Sequence, residues 1–306
     1  MMYSSSLFIS VINMESRSLV VVKHNKVIEA CYQLSLSEQR ILLACIAQID
    51  SKANLSEHYK FEVTVSQIED LAGIENAYRD IREASEKLIK RVIRIDNPDP
   101  NKPNLAYTLT HWVDSCDYYP KEGKVVLAFS RPIIPYLSQL SHNFTKYKIK
   151  NVVKMKSTYS IRLYELLCQW QSTGEREVDV DWLRKQWQLS DRYERISDLK
   201  KWVIDVAVNE INTYSNLWVK YGQRKSGKTI THFQFQFGLK DKPQPLERKQ
   251  LTEEEINRQA KPGETRAAVI ARLMGTSIAD FAKPGETFDQ AMTRKKGLND
   301  LKAILK

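Results

Sequence analysis

The stretch GQRKSGKT, Gly222–Thr229, satisfies every fixed position of the phosphate-loop pattern G-x-x-x-x-G-K-[ST]. A nucleotide-binding loop of that kind needs a buried strand before it and a helix after it, so that helix N–H groups point at the phosphates. LWVKY, residues 217–221, can be the strand. The next segment is TITHFQFQFG, where Ile230, His232, Phe233, Phe235 and Phe237 come close to strict alternation among β-branched and aromatic residues. Period two with those residue types is a strand, not a helix. Ser226-Gly227 then marks a turn between two strands. No acidic motif at the end of an apolar strand supplies a magnesium ligand either. The match is accidental. The same residues read as a hairpin tip whose Arg224, Lys225 and Lys228 can lie along a DNA backbone or reach into a minor groove.

The segment before the hairpin, DRYERISDLKKWVIDVAVNEINTYS, predicts a long helix beginning around Asp191 or Ser197, with Asp191 and Glu194 at capping-box spacing. Ile196, Leu199, Val203, Val206, Ala207 and Ile211 fall on one face and should pack inward. Arg195, Ser197, Asp198, Lys200 and Lys201 are left on the other faces near its start. In helix-turn-helix docking the first turns of the recognition helix meet base edges while flanking cations hold phosphates. Lys and Arg placed there can donate to guanine O6 and N7.

Working outward, the same order of elements occurs twice. LSLSEQRILLACIAQI predicts a helix capped by Ser35 or Ser37. VTVSQIEDLAGI predicts a short one with a Ser66/Glu69 capping box, ended by Gly73. AYRDIREASEKLIKRVIRI predicts a third, and LAYTLTHWV, a KEGK turn and VVLAFS predict a hairpin. In the second copy SIRLYELLCQWQ, DVDWLRKQWQL and the long helix precede the hairpin already described. Adding 115 carries Val65, Ile68, Ile74, Tyr78, Ile81 and Leu88 onto Val180, Leu183, Leu189, Tyr193, Ile196 and Val203, although the first helices do not keep that offset. Three helices and a two-stranded hairpin make a winged helix. The fold class expected is therefore α+β: two tandem winged-helix domains at 24–143 and 144–240. Before them lies an N-terminal extension, 1–23, expected to be disordered. After them come a Pro- and charge-rich linker and a partly helical tail, 241–306, in which AKPGET occurs at Ala260–Thr265 and again at Ala282–Thr287. Met1 and Met14 are both open as the native start.

Charge separates the two copies. Of a net +10, His24–Asn143 carries 14 Lys/Arg against 16 Asp/Glu, whereas Phe144–Lys240 carries 18 against 10. The second copy should thus be the module that touches phosphates, and a fragment beginning near Phe144 should retain DNA binding. Five of the six tryptophans (Trp170, Trp182, Trp187, Trp202, Trp218) lie in this copy and read as core fillers, with stacking on unpaired bases as the alternative.

Enzymatic sites are not expected. Cys31, Cys45, Cys116 and Cys168 never form C-x-x-C, which argues against a zinc or redox site and fits a reducing cytoplasm. The five histidines (His24, His58, His111, His142, His232) never form H-x-H. With no metal motif, none of the 14 tyrosines is singled out as a nucleophile, and a rolling-circle nuclease is a distant alternative. No cofactor or metal is expected, and no apolar run approaches the roughly 18 residues of a membrane span.

HNKVIEACYQLSLSEQRILLACI, KSTYSIRLYELL, RYERISDLKKWVIDVAVNEIN and SGKTITHFQFQF together resemble the RepE/RepA-type replication initiators of iteron-containing plasmids, over roughly His24 to Leu239. The resemblance implies two winged helices, of which the second binds the repeated origin sequences (iterons) most strongly. The first supports it, or forms the dimer interface when the protein represses its own promoter. Origin opening and loading of the host replicative helicase, with help from host initiator proteins, are implied as well. By resemblance the recognition helix falls on Tyr193, Arg195, Ser197, Lys200 and Lys201, and the wing tip on Gly227-Lys228. Trp202 stands where a third basic residue is often found, and Lys228 stands where the family has arginine, whose forked contact a lysine cannot reproduce. A winged-helix transcriptional repressor uses the same surface and stays open as an alternative.

Overall fold

Thr64 ends a strand and starts a helix. Its hydroxyl accepts from the Gln67 amide, and the Gln67 side chain accepts from the Thr64 amide. At the same place in the second half, the Asp179 carboxylate accepts from the Trp182 amide at 2.8 Å. These caps show where each short helix begins, two residues before the expected Ser66/Glu69 box. Glu69 turns instead to the Ala77 amide, 2.7 Å away, and ties the end of that helix to the next one.

The structure, a computed structural model, describes residues 19–241 other than 57, 58, 100, 190 and 191, and beyond them Arg258, Ala260 and Val269. The expectations for residues 1–18, and for the tail apart from those three positions, lie outside the described residues. The compact unit that carries the site ends at Leu239.

Its first half runs β1 (Val20–His24), α1 (Asn25–Ile28), α2 (Leu36–Ile46), β2 (Phe61–Thr64), α3 (Val65–Ala72) and α4 (Tyr78–Leu88). It continues with β3 (Val92–Asp96), β4 (Tyr107–His111), β5 (Val113–Tyr119) and β6 (Lys124–Phe129). The second half runs β7 (Phe144–Lys148), α5 (Thr158–Cys168), β8 (Glu175–Asp179), α6 (Val180–Gln186) and α7 (Ile196–Leu199). A π-helical segment, Lys200–Ile204, joins α7 to α8 (Asp205–Tyr214), and the hairpin β9 (Leu217–Ser226) and β10 (Thr229–Leu239) ends the unit. The sheets β2-β6-β5 and β8-β10-β9 have the same order: the strand that leads into the second helix pairs with the last strand of the hairpin. Each half is a winged helix with a third strand beyond the two expected.

The offset of 115 is kept from β2 through the third helix, and burial follows it. Val65, Ile68 and Leu88 are as buried as Val180, Leu183 and Val203. It is lost afterwards because β3 and β4 form an extra ribbon between α4 and the first wing. Residues 92–96 were expected to prolong the third helix. They are a strand with alternating burial, because α4 stops at Leu88 and β-branched Val92, Ile93 and Ile95 pair with Tyr107–His111. The first wing is correspondingly β5–β6, so VVLAFS pairs with VDSCDYY rather than with LAYTLTH. The expected N-terminal extension is shorter than 1–23, since Val20–His24 pairs antiparallel with Phe144–Lys148.

That pairing crosses the line between residues 143 and 144, and the core does the same. The Arg162 guanidinium on α5 is buried, which lowers its pKa, and it donates to the carbonyls of Ala30 (2.6 Å), Tyr32 (2.8 Å) and Gln186 (3.0 Å). Beside it Lys23 of β1 and Tyr147 of β7 both hold the buried Glu165 carboxylate of α5. Charges this deep need partners, because an unpaired buried ion is heavily penalised.

Candidate nucleic-acid interface

The helix expected to serve as recognition helix is entered through a turn made by two non-glycine residues in the left-handed region, Gln188 (φ 52°) and Tyr193 (φ 58°). Arg184 on α6 spans it, donating to the Glu194 carbonyl at 3.0 Å. Arg195 takes the N-cap position in extended backbone, without a side-chain cap. The helix therefore starts at Ile196, between the two sequence expectations, and Ser197 lies inside its first turn; Asp191 is outside the described residues. Leu199, Val203, Ala207 and Ile211 are fully buried, as their spacing predicted, and so is Ile204, three residues before Ala207 and seven before Ile211. Ile196 and Val206 are only partly covered.

Three side-chain rungs tie this helix to the wing. Asn212 accepts from the Val219 amide and donates to the Val219 carbonyl, both at 2.8 Å. The Tyr221 hydroxyl donates to Asp205, and burial with that carboxylate pushes the phenol pKa up. The Lys200 ammonium donates to Gln223 Oε1 at 3.2 Å. Val219, Tyr221 and Gln223 are alternate residues of β9, so the strand lies along the helix with one face toward it. Lys225 is the next residue in that row. The hairpin then turns through Gly227-Lys228, with Ser226 and Thr229 paired and Gly227 at φ 60°, a conformation that favours glycine. The whole of GQRKS lies in β9, and the chain continues from Thr229 as strand β10; no helix stands behind the loop.

Of the residues expected to contact DNA, Lys200 is tied to the wing through Gln223, and Tyr193 and Arg195 line one dent with Trp202. Arg195, Ser197, Lys201, Lys225 and Lys228 are exposed, and Tyr193 and Lys200 are half-buried. Arg224 is held apart. Being one residue out of step with Gln223 and Lys225, it reaches across the sheet, and its Nε and Nη2 donate to Glu177 of β8 at 3.0 and 2.8 Å. That fork holds the Glu177 carboxyl below its usual range and raises the guanidinium.

Two further features were not among the sequence expectations. Lys146, Lys148, Lys150, Lys154 and Lys156 are all exposed, while Tyr147, Ile149 and Met155 between them are buried. The alternation in TKYKIK carried that signal. On the side of the recognition helix away from the wing lies a groove of about 620 Å³ whose lining includes Ser35, Arg91, Lys156, Arg192, Tyr193 and Trp202. The tryptophans divide. Trp187 is buried and Trp182 and Trp218 are partly covered, but Trp170 (47% exposed) and Trp202 (54%) are not the core residues expected. Among the described residues no His, Cys, Asp or Glu cluster could hold a metal ion, and no helix is long and apolar enough to cross a membrane.

Comparison with known proteins shows the same division. The model of the initiator replication protein WH1 domain matches residues 20–168, and that of the initiator Rep protein WH2 domain matches 179–237. A replication initiation protein of Escherichia coli is 29% identical over 210 residues, 65% of this chain and 64% of that protein, so the match spans just under two thirds of that relative. The PI protein of Escherichia coli is 26% identical over 249 residues, covering 71% of this chain and 82% of it. In three dimensions, the Pi initiator protein crystallised in complex with iteron DNA superposes with a TM-score of 0.63 at 23% identity, over 74% of this chain and all of that one, which establishes a common fold. With two winged helices of equal topology, and with each half matching its own initiator domain, the chain belongs to the Rep-type family of plasmid replication initiator proteins.

Proposed function

We propose that this chain binds direct repeats in a plasmid replication origin as double-stranded DNA and so starts replication, the second winged helix reading bases and the first supporting it. The observation that carries this reading is the joining of the recognition helix to the wing by three rungs, with Arg195, Lys201, Lys225 and Lys228 exposed on the two elements and in no ion pair among the described residues. A helix start of this kind suits a major groove, and cations at the tip of a wing suit phosphates or a minor groove. Family membership and the related initiator solved with iteron DNA support the same assignment. Through an inverted repeat the protein, as a dimer, represses its own promoter; at the origin it helps to open the duplex and to load the host helicase. It acts by binding, in the cytoplasm and without a cofactor. Footprinting on the DNA that surrounds the gene tests the reading. Evenly spaced direct repeats are the expected result, and protection of one inverted repeat alone would make the protein a repressor.

A further inference from the structure

Trp202 is the one large aromatic of the recognition helix that is more than half exposed, at 54%. It belongs to the π-helical segment, where Lys201 and Trp202 face outward and the next two residues, Val203 and Ile204, are buried. Such segments occur mostly as single turns inside α-helices, frequently at functional sites. The Lys201 ammonium lies 4.7 Å from the centre of the indole ring, so a cation and an apolar plate are presented together. In front of the plate is a dent of about 410 Å³ lined by Tyr193, Glu194, Arg195, Asp198 and Trp202. All five residues precede or belong to the first two turns of the helix, the part that meets base edges when such a helix enters a major groove.

An indole face cannot take the place of a cation on guanine, and in the major groove the apolar group that a base edge offers is the C5-methyl of thymine. We infer that Trp202 reads that methyl group and fixes a thymine at one position of each repeat. This rests on the assignment of the second winged helix as the duplex reader, and names a base preference that the assignment leaves open.

The test uses the full chain and the duplex defined by footprinting, with each thymine replaced in turn by uracil, which differs only by the missing methyl. Wild type and Trp202→Phe should lose about fourfold in affinity at one position, the weight of one buried methyl group. Trp202→Ala should bind the thymine and uracil duplexes equally at that position and keep its discrimination elsewhere. Because the side chain is largely solvent-exposed, this variant should keep the wild-type melting temperature. A scan with no thymine-sensitive position, or one at which Trp202→Ala discriminates as well as wild type, overturns the inference and leaves the DNA-binding assignment standing. Failure of the wild type to prefer any duplex would instead remove the assignment itself.

Discussion

Arg224 and Lys228 stand four residues apart on one hairpin, yet the free protein prepares them differently for an anionic partner. Lys228 occupies the turn itself, exposed and unpaired among the described residues. Arg224 already has a forked partner in Glu177, and phosphate would have to compete with that carboxylate. Lys228→Ala should weaken binding to all duplexes alike and lower the slope of log affinity against log salt by about one. Glu177→Gln should do the reverse, releasing Arg224 and steepening the slope by about one. The sign with pH comes from the depressed Glu177 carboxyl. The pair is intact above the ordinary glutamate range and breaks only as pH falls through the lowered value, so the gain should be constant from about pH 5 upward and vanish only once pH falls through that lowered value. Salt titrations of the two variants and wild type, by fluorescence anisotropy at two pH values, check both statements. An Arg224 that bound phosphate while still held by Glu177 would leave Glu177→Gln without effect.

At the scale of elements, what matters is how helix and wing are held as one surface. Asn212 is the innermost rung, and its amide satisfies both backbone groups of Val219, which is itself buried. Asn212→Ala leaves that amide and carbonyl without it, at a cost of about 2 kcal/mol in stability. Since the wing then loosens from the helix, binding to the repeat should fall several-fold more than binding to random duplex, as competition titrations would reveal. Equal losses on both would mean that wing and helix act independently. Sequence pattern exposed the ends of this arrangement but not the rungs. Alternation in TITHFQFQF identified the strand, and spacing identified Leu199, Val203, Ala207 and Ile211 as the buried face. The rungs pair residues on different elements, and nothing local marks Asn212 or Asp205 as partners for a strand. The π-helical segment was invisible for a related reason: a single-residue shift within a helix changes which side chains face outward without changing residue types. Trp202, expected as a core filler, lies in that segment and faces solvent.

On the scale of the whole molecule, the two winged helices share a buried polar hub. Lys23, Tyr147, Arg162 and Glu165 come from β1, β7 and α5, and Arg162 reaches the carbonyls of both Ala30 and Gln186. A fragment beginning at Phe144 would lose β1, the Lys23 partner of Glu165 and two of the three carbonyls that hold Arg162. The expectation that such a fragment binds DNA therefore changes. Circular dichroism should find it largely unfolded, whereas a chain from Leu19 to Lys240 should fold and bind. Within the intact protein, Lys23→Ala should cost about 3–5 kcal/mol in urea unfolding because it strands a buried carboxylate. Removing both charges by Lys23→Met with Glu165→Leu should cost clearly less. A double variant that lost as much as its two single variants added together would show that the pair is not coupled.

Repetition, periodicity and charge are properties of neighbouring residues, and through them the chain by itself determined two winged helices, a basic second copy, and a hairpin in place of a nucleotide loop. Pairing between distant segments is set by three-dimensional packing. Only the tertiary structure decided that β1 closes on β7, that Arg224 is engaged by Glu177, and that Trp202 faces solvent. In each case the deciding energy, whether a ladder hydrogen bond, an ion pair or the burial of an apolar face, comes from a partner far away in the sequence.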